Sequence, residues 1–375
     1  MPVRQLRRDI VAKVRRVVVK VGTNALTGPA GRLDAGVVGE LSRQIAGMLR
    51  AGLDVTLVSS GAIGAGMAEL DLPARPATLP MLQATAAVGQ GQLMRTFHDA
   101  FGRYGVKVAQ ILITRDDFQD RTRYLNIRNT IAALADCHAL PIINENDTVS
   151  VDEIRYGDND IIAALVTNNL RSDLLVLLTV VEGLCRDAAR GDVVDVVERI
   201  DKDIERLVDG TRSARGSGGM ASKLEAVRMV TRAGEAAVIA NGRREDVLGD
   251  LLDGRRVGTL FLPTPSKMTS RKRWIAFTVR ARGRLTVDDG AARALCEKGK
   301  SLLASGIVGA SGSFKAGDLL VIVDERGGEI ARGLTNYDAD ALAKIRGRKS
   351  SEFKKILGEK PYDEVIHRDN LVLRR

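Results

Sequence analysis

A charge placed inside a run of valines is unfavourable unless a partner waits for it, and Arg16-Val17-Val18-Val19-Lys20-Val21 is such a run. Two readings are open for Lys20: a cation carried by a buried strand to an anionic ligand at the strand end, or an edge-strand lysine whose ammonium reaches water. The run ends in Gly22-Thr23-Asn24, the kind of turn whose backbone N–H groups face phosphates in open parallel sheets. A second lysine, Lys223, follows Gly216-Ser217-Gly218-Gly219-Met220-Ala221-Ser222 close to the start of an expected helix. The helix dipole disfavours a cation there, so Lys223 either meets an anion bound at that helix end or is a solvated surface residue. No G-x-x-x-x-G-K-[ST] sequence is present, which excludes a Walker-type nucleotide loop.

Three further clusters offer polar groups. Ser59-Ser60-Gly61-Ala62-Ile63-Gly64-Ala65-Gly66 reads as a glycine-rich turn with two hydroxyls and unhindered amides. Asn144-Glu145-Asn146-Asp147 ends a strand, and Gly157-Asp158-Asn159-Asp160 opens a helix. Such amide–carboxylate clusters serve either turn and N-cap hydrogen bonding or a pocket for a zwitterion, or for lysine and metal partners.

The elements that must position these residues alternate. Strands are expected at Arg16–Val21, Val55–Ser59, Val106–Ile113, Pro141–Asn144, Leu174–Thr179 and Ala236–Ala240. Helices are expected at Asp34–Arg50, Leu82–Arg103, Asn126–His138, Asp160–Leu170 and Ala221–Ala233. Alternation of this kind predicts an α/β domain whose mainly parallel sheet carries helices on both faces. Leu262-Pro263-Thr264-Pro265-Ser266 interrupts the pattern, and the short runs Leu285–Val287, Leu319–Val323 and Glu329–Leu334 beyond it predict a small β-rich module. We therefore expect domains at 1–265 and 275–360, followed by a tail at 361–375.

Charge divides along the same line. Residues 1–269 carry 35 basic against 33 acidic side chains (+2), and residues 270–375 carry 22 against 14 (+8), so most of the net +10 belongs to the last quarter. A near-neutral body joined to a basic module capable of meeting phosphates is implied. With 45% hydrophobic and 28% charged residues, the 375-residue chain is ordinary for a folded protein, and no apolar run approaches the roughly 20 residues of a membrane span. Met1–Arg16 is basic but lacks an apolar signal-peptide core, and it reads as a lead into the first strand. Three separated cysteines, Cys137, Cys185 and Cys296, suggest neither disulfides nor a zinc site and fit a reducing cytoplasm.

Taken together, Val17-Val18-Val19-Lys20-Val21-Gly22-Thr23, Ser59-Ser60-Gly61-Ala62-Ile63, Ile143-Asn144-Glu145-Asn146-Asp147, Gly157-Asp158-Asn159-Asp160 and Gly218-Gly219-Met220-Ala221-Ser222-Lys223 resemble the glutamate 5-kinases, members of the amino-acid kinase fold family. Ala87-Val88-Gly89-Gln90, Leu112-Ile113-Thr114-Arg115 and Val257-Gly258-Thr259-Leu260-Phe261 extend the resemblance in the same order. The stretch Leu285-Thr286-Val287-Asp288-Asp289-Gly290-Ala291 is similar to the PUA domain that many bacterial members carry. The implied fold is a three-layer sandwich with a mainly parallel central sheet, plus a PUA-like C-terminal domain.

The resemblance implies ATP-dependent phosphorylation of the L-glutamate side chain to L-glutamyl 5-phosphate, the first step of proline synthesis, with Mg²⁺ accompanying ATP and no all-protein metal site. It assigns Lys20 and Lys223 to the phosphates, Asp160 to organising both ammonium groups, and Ser60, Asp147 and Asn159 to glutamate. Nucleotide contacts carry over to Lys20, Gly22, Thr179, Val180, Ser217, Gly218, Gly219, Met220, Ala221, Ser222 and Lys223. A carboxylate acceptor is already ionised at neutral pH, so no general base is needed, and His98, His138 and His367 are read as structural. The chain departs from the family pattern at Thr179-Val180, Gly183-Leu184-Cys185 and Asp187-Ala188-Ala189-Arg190, on the nucleotide side. Family resemblance also implies inhibition by proline and a homo-oligomer, dimer or tetramer. RNA contact by the PUA-like module and a purely regulatory or assembly role for it both stay open. The rival readings are another phosphotransferase of the same fold, acting on carbamate, a nucleotide or acetylglutamate, and an RNA-binding or RNA-modifying protein acting through its C-terminal module.

Overall fold

The computed structural model describes residues 3–28, 32–150, 159–187, 191–209, 219–265, 267–359 and 361–374. The chain divides into two compact units, Met1–Asp117 with Arg121–Lys267, and Phe118–Asp120 with Met268–Arg375.

The larger unit is built on strands β1 (Arg16–Val21), β2 (Asp54–Ser59), β3 (Lys107–Ile113), β4 (Ala139–Glu145), β5 (Leu174–Thr179), β8 (Val196–Val197), β9 (Ala236–Asn241) and β10 (Thr259–Phe261). A separate two-stranded ribbon pairs β6 (Cys185–Asp187) with β7 (Asp192–Val193). The main sheet runs β3-β4-β2-β1-β5-β9-β10-β8, and only the β9/β10 pair is antiparallel. Its helices are α1 (Val3–Val11), α2 (Thr23–Leu26), α3 (Ala35–Arg50), α4 (Ala62–Glu69), α5 (Leu79–Gly102), α6 (Arg121–Asp136), α7 (Asn159–Leu170), α8 (Lys202–Asp209), α9 (Met220–Ala233) and α10 (Val247–Leu252).

Parallel strands buried on both faces read as continuous apolar runs, and β1 and β5 do so. Val17, Val18 and Val19 are fully buried in β1, and Leu174, Leu175, Val176, Leu177 and Leu178 are buried in β5. Each such side chain contributes roughly 1.5–3 kcal/mol on leaving water. β1 lies between β2 and β5, so the edge-strand reading of Lys20 is wrong: the strand is interior. Crossover connections leave the carboxyl ends of β4, β2, β1 and β5 side by side, where ligands gather in open parallel sheets.

Two expectations about local structure are corrected. The segment after Ser60 is mostly helix: Gly61, at φ +112°, makes the turn, and α4 begins at Ala62. Its small residues serve packing, because α4 crosses α5 almost backbone to backbone. A Cβ on Gly66 would lie 1.8 Å from the Thr85 carbonyl oxygen, and one on Gly89 would lie 1.9 Å from that of Ala62. In addition, α6 starts at Arg121 instead of Asn126, in a charged segment without a strong apolar signal.

At the N-terminus, Arg7 of α1 is buried and donates to the Asp195 carboxylate at 2.9 Å and to the carbonyls of Asp195, Val257 and Gly258 at 2.7–2.9 Å. Burial lowers the pKa of this guanidinium, and the Asp195 carboxylate opposes that shift.

The smaller unit holds a mixed sheet ordered β12-β11-β13-β14-β15, from β11 (Gly283–Val287), β12 (Ile307–Gly312), β13 (Leu319–Val323), β14 (Glu329–Leu334) and β15 (Leu371–Leu373). Helices α11 (Ser270–Phe277), α12 (Asp289–Cys296), α13 (Ala339–Ile345) and α14 (Phe353–Leu357) accompany it. Leu285, Val287, Ile322, Ala331, Leu342 and Phe353 form its separate core, in which Tyr337 meets Phe353 edge to face. Among the described residues no helix is long and apolar enough to cross a membrane.

Candidate active site

Lys20 is the fifth residue of β1 and points out of an apolar strand into a fully buried carboxylate. Its Nζ lies 2.6 Å from Oδ1 of Asp160, while Nζ of Lys223 lies 3.1 Å from Oδ2 of the same residue. Asp160 has no exposed surface, and the lysines keep only 5% and 8% of theirs. The surface-lysine reading of Lys223 is therefore wrong as well. Ser222 donates a longer bond of 3.4 Å to Asp160 Oδ2.

Local sequence explains the convergence. Asp160 sits in the first turn of α7, where the helix dipole favours an anion. Lys223 sits in the first turn of α9, where the dipole disfavours a cation, and the carboxylate across from it offsets that mismatch. Gly22 follows β1 so closely that a Cβ there would stand 3.4 Å from Lys20 Nζ. Burial raises the Asp160 pKa, but the two ammonium groups override it and hold the carboxyl below its usual range. For Lys223, burial lowers the pKa, Asp160 opposes, and Lys20 adds to the lowering. Within this buried triad two ammonium groups share one carboxylate.

Beside the triad lies a neutral cluster. Asn159, the first residue of α7, points its Nδ2 at the Ser59 carbonyl (3.1 Å), Ser60 Oγ (2.8 Å) and Asn144 Oδ1 (3.0 Å). These contacts tie the start of α7 to the ends of β2 and β4. Asp147 occupies the turn after β4 and is not hydrogen-bonded to Ser60 or Asn159 among the described residues. Burial pushes its carboxyl up to about 6, against the opposing charge of Arg75.

The structure thus brings Lys20, Asp160 and Lys223 together, and Ser60 together with Asn159. Gly22 and Thr179 lie at adjoining strand ends, with Gly22 N donating to Leu178 O at 3.2 Å and Gly242 N to Thr179 O at 2.8 Å. Val180 and Val181 just beyond are exposed. Gly219 caps α9, and Met220, Ala221 and Ser222 form its first turn. Ser217, Gly218, Gly157, Asp158 and Ala188–Arg190 lie outside the described residues. Asn144 and Gln90, quoted above within motifs but given no individual role, belong to the same hydrogen-bonded cluster. A buried amide closing a strand of Ile142 and Ile143 was the available signal.

Comparison with known proteins meets this geometry. The profile of the amino acid kinase family matches residues 15–241, and that of the PUA domain matches residues 283–357. The chain belongs to the amino acid kinase family. It is 48% identical to the glutamate 5-kinase of Syntrophotalea carbinolica, across 99% of this chain and 100% of that one. It is 46% identical to the glutamate 5-kinase of Geobacter sp. strain M21, across 98% and 100%. Among solved structures, carbamate kinase from Giardia lamblia bound to AMP-PNP matches at a TM-score of 0.50 and 20% identity, covering 68% of this chain and all of that one. That likeness concerns the fold, and it extends the expected three-layer kinase architecture to this chain.

Proposed function

We propose that this chain transfers the γ-phosphoryl group of ATP to the side-chain carboxylate of L-glutamate, giving L-glutamyl 5-phosphate and ADP. The observation that carries the reading is the fully buried Asp160 held between Lys20 and Lys223. Two anions must approach one another in this reaction, and preorganised cations in a low-dielectric site are what lowers that barrier. A carboxylate oxygen attacks the γ-phosphorus and the bond to the ADP oxygen breaks. The acceptor is already ionised, so no proton moves and no base is required.

Lys20 and Lys223 neutralise the transferring group and the leaving oxygen, and Asp160 positions them. Ser60, Asn159 and Asp147 hold glutamate, the carboxylate of Asp147 suiting its ammonium. Gly22, Thr179, Val180 and the Ser217–Lys223 segment take the nucleotide. Mg²⁺ would accompany ATP, held through the phosphate oxygens of the nucleotide. Bound there, the ion adds charge neutralisation at the phosphate oxygens. Three free thiols accord with action in the cytoplasm, in proline synthesis. Full-length similarity to glutamate 5-kinases favours this reading over another acceptor of the same fold or an RNA-directed role. Proline competing at the glutamate region, a homo-oligomer and RNA contact by the PUA domain extend the reading.

The test is ADP release coupled to hydroxylamine trapping. Glutamate-dependent hydroxamate is expected, and its absence would sink the proposal. Lys223→Ala should lower kcat far more than it raises the glutamate KM; a change in KM alone would make Lys223 a binding residue.

A further inference from the structure

Gln90 sits on α5 immediately after Gly89, the residue whose missing Cβ lets α5 press against the backbone of α4. That crossing sets the half-buried Gln90 beside the end of β4, where its Oε1 accepts from Asn144 Nδ2 at 2.8 Å. The orientation of each amide along this line follows from its neighbours. Asn144 Oδ1 accepts from the Glu145 backbone N–H at 2.9 Å, and a backbone N–H can only donate. Asn144 must therefore turn its amino group toward Gln90, which must answer with oxygen.

The consequence passes to Asn159. Facing it are Asn144 Oδ1 and the Ser59 carbonyl, both able only to accept, so Asn159 must present Nδ2 to them. Its own Oδ1 is left buried, with no hydrogen-bond partner among the described residues. A buried carbonyl without a donor is unfavourable by about 1–3 kcal/mol, and a ligand supplying a donor recovers that. At neutral pH the one hydrogen-bond donor of L-glutamate is its ammonium group.

We propose that Gln90 is a positioning residue for the acceptor amino acid: by accepting the Asn144 amino group it holds Asn144 in the orientation that the Glu145 N–H selects, and so supports Asn159 with its side-chain carbonyl turned to receive the substrate's ammonium. This rests on the acceptor reading given above. Gln90 does not touch the substrate, and its oxygen acts only by taking up the Asn144 amino group that would otherwise lack an acceptor.

The test is steady-state kinetics of the full-length protein with three variants. Gln90→Leu removes the acceptor at similar size, and Gln90→Met is a second acceptor-free variant should the first not fold. Gln90→Glu keeps an oxygen facing Asn144. An acceptor-free variant should raise the L-glutamate KM about tenfold, the weight of one buried hydrogen bond, with kcat and the ATP KM within about twofold of wild type. Gln90→Glu should stay within about threefold on all three. Glutarate, a dicarboxylate without an ammonium, should keep the same competitive Ki in wild type and acceptor-free variants.

An unchanged glutamate KM in a folded acceptor-free variant overturns the proposal. So does a glutarate Ki that rises in parallel, which would mean a distorted pocket, and so does a Gln90→Glu protein as impaired as Gln90→Leu. Wild-type protein that forms no glutamate-dependent hydroxamate would instead remove the acceptor reading itself, and this inference with it.

Discussion

Replacing Asp160 by asparagine keeps the size of the side chain and deletes the charge that two buried ammonium groups share. With Lys20 Nζ at 2.6 Å and Lys223 Nζ at 3.1 Å, the two attractions are roughly 6 and 5 kcal/mol at an effective dielectric constant of about 20. Desolvation of the three ions and repulsion between the lysines cancel most of that in the folded wild type, so the intact triad contributes little net stability. Breaking it is different, because two buried cations lose the carboxylate they share, and losses of about 3–5 kcal/mol are usual when one partner of a buried ion pair is removed. At about 2–4 °C per kcal/mol, Asp160→Asn should melt roughly 6–20 °C below wild type at pH 7. Its kcat should fall at least about a thousandfold, since both phosphate-facing cations lose their anchor.

The pH dependence separates this cause from simple loss of packing. Burial already lowers the Lys223 pKa, and removing Asp160 takes away the main influence that raises it. An unfolded lysine then binds more protons than the folded one over the window between the lowered pKa and the reference value near 10.4. Stability of the variant must therefore rise with pH across that window. Calorimetry of wild type and Asp160→Asn from pH 7 to 9.5, beside the hydroxamate assay, should show the gap in Tm narrowing as pH rises. A gap that is constant or absent, or turnover retained within tenfold, would refute the idea that Asp160 is the electrostatic organiser of this site.

Three other outcomes follow from the same geometry. Burial holds the free Asp147 carboxyl at about 6, so kcat/KM for glutamate should fall as pH drops through that value, and Asp147→Asn should lose this acidic limb in a pH–rate profile. The raised pKa also means that the ionised form weighs against folding, which should make Asp147→Asn at least as stable as wild type above pH 6 by thermal melting. Chelation by EDTA should abolish transfer yet leave the Tm of nucleotide-free protein unchanged, because in the proposed reaction the ion arrives on the phosphates of ATP. Gly89→Ala places a methyl group 1.9 Å from the Ala62 carbonyl oxygen, so denaturant unfolding should show a loss of at least about 1–3 kcal/mol from helix separation.

The strands of this protein announce themselves because burial on both faces demands unbroken β-branched and aliphatic runs, and Lys20 stood out against such a run. What the run did not reveal was neighbour order. Whether β1 is an edge or an interior strand depends on crossovers, and that difference separates a snorkelling lysine from a buried one. Nor does spacing along the chain bring Asp160 between lysines at positions 20 and 223; the three meet only because β1 ends, and α7 and α9 begin, at one rim of the sheet. Composition misled at Ala62–Glu69, where glycines that look like a loop are a helix thinned for close crossing. The role of Gln90, though the residue stands in a motif that the resemblance covers, is not legible for the complementary reason: a single polar residue on a long helix carries no periodic signal, and its partner Asn144 lies on a different element.

Asn159 and Asp160 are consecutive, and that adjacency organises the whole site. Asn159 faces the ends of β2 and β4, while Asp160 faces the two cations, so in the proposed reaction the acceptor and phosphoryl halves of the pocket share the first turn of α7 as their common reference. All 12 residues of that helix are buried, which denies it the freedom to tilt that a surface helix would have. The reaction needs two repelling anions held at one distance, and placing both sets of partners on successive residues of a rigid buried helix is a direct way to hold it. The basic excess in residues 270–375 contributes nothing to that distance.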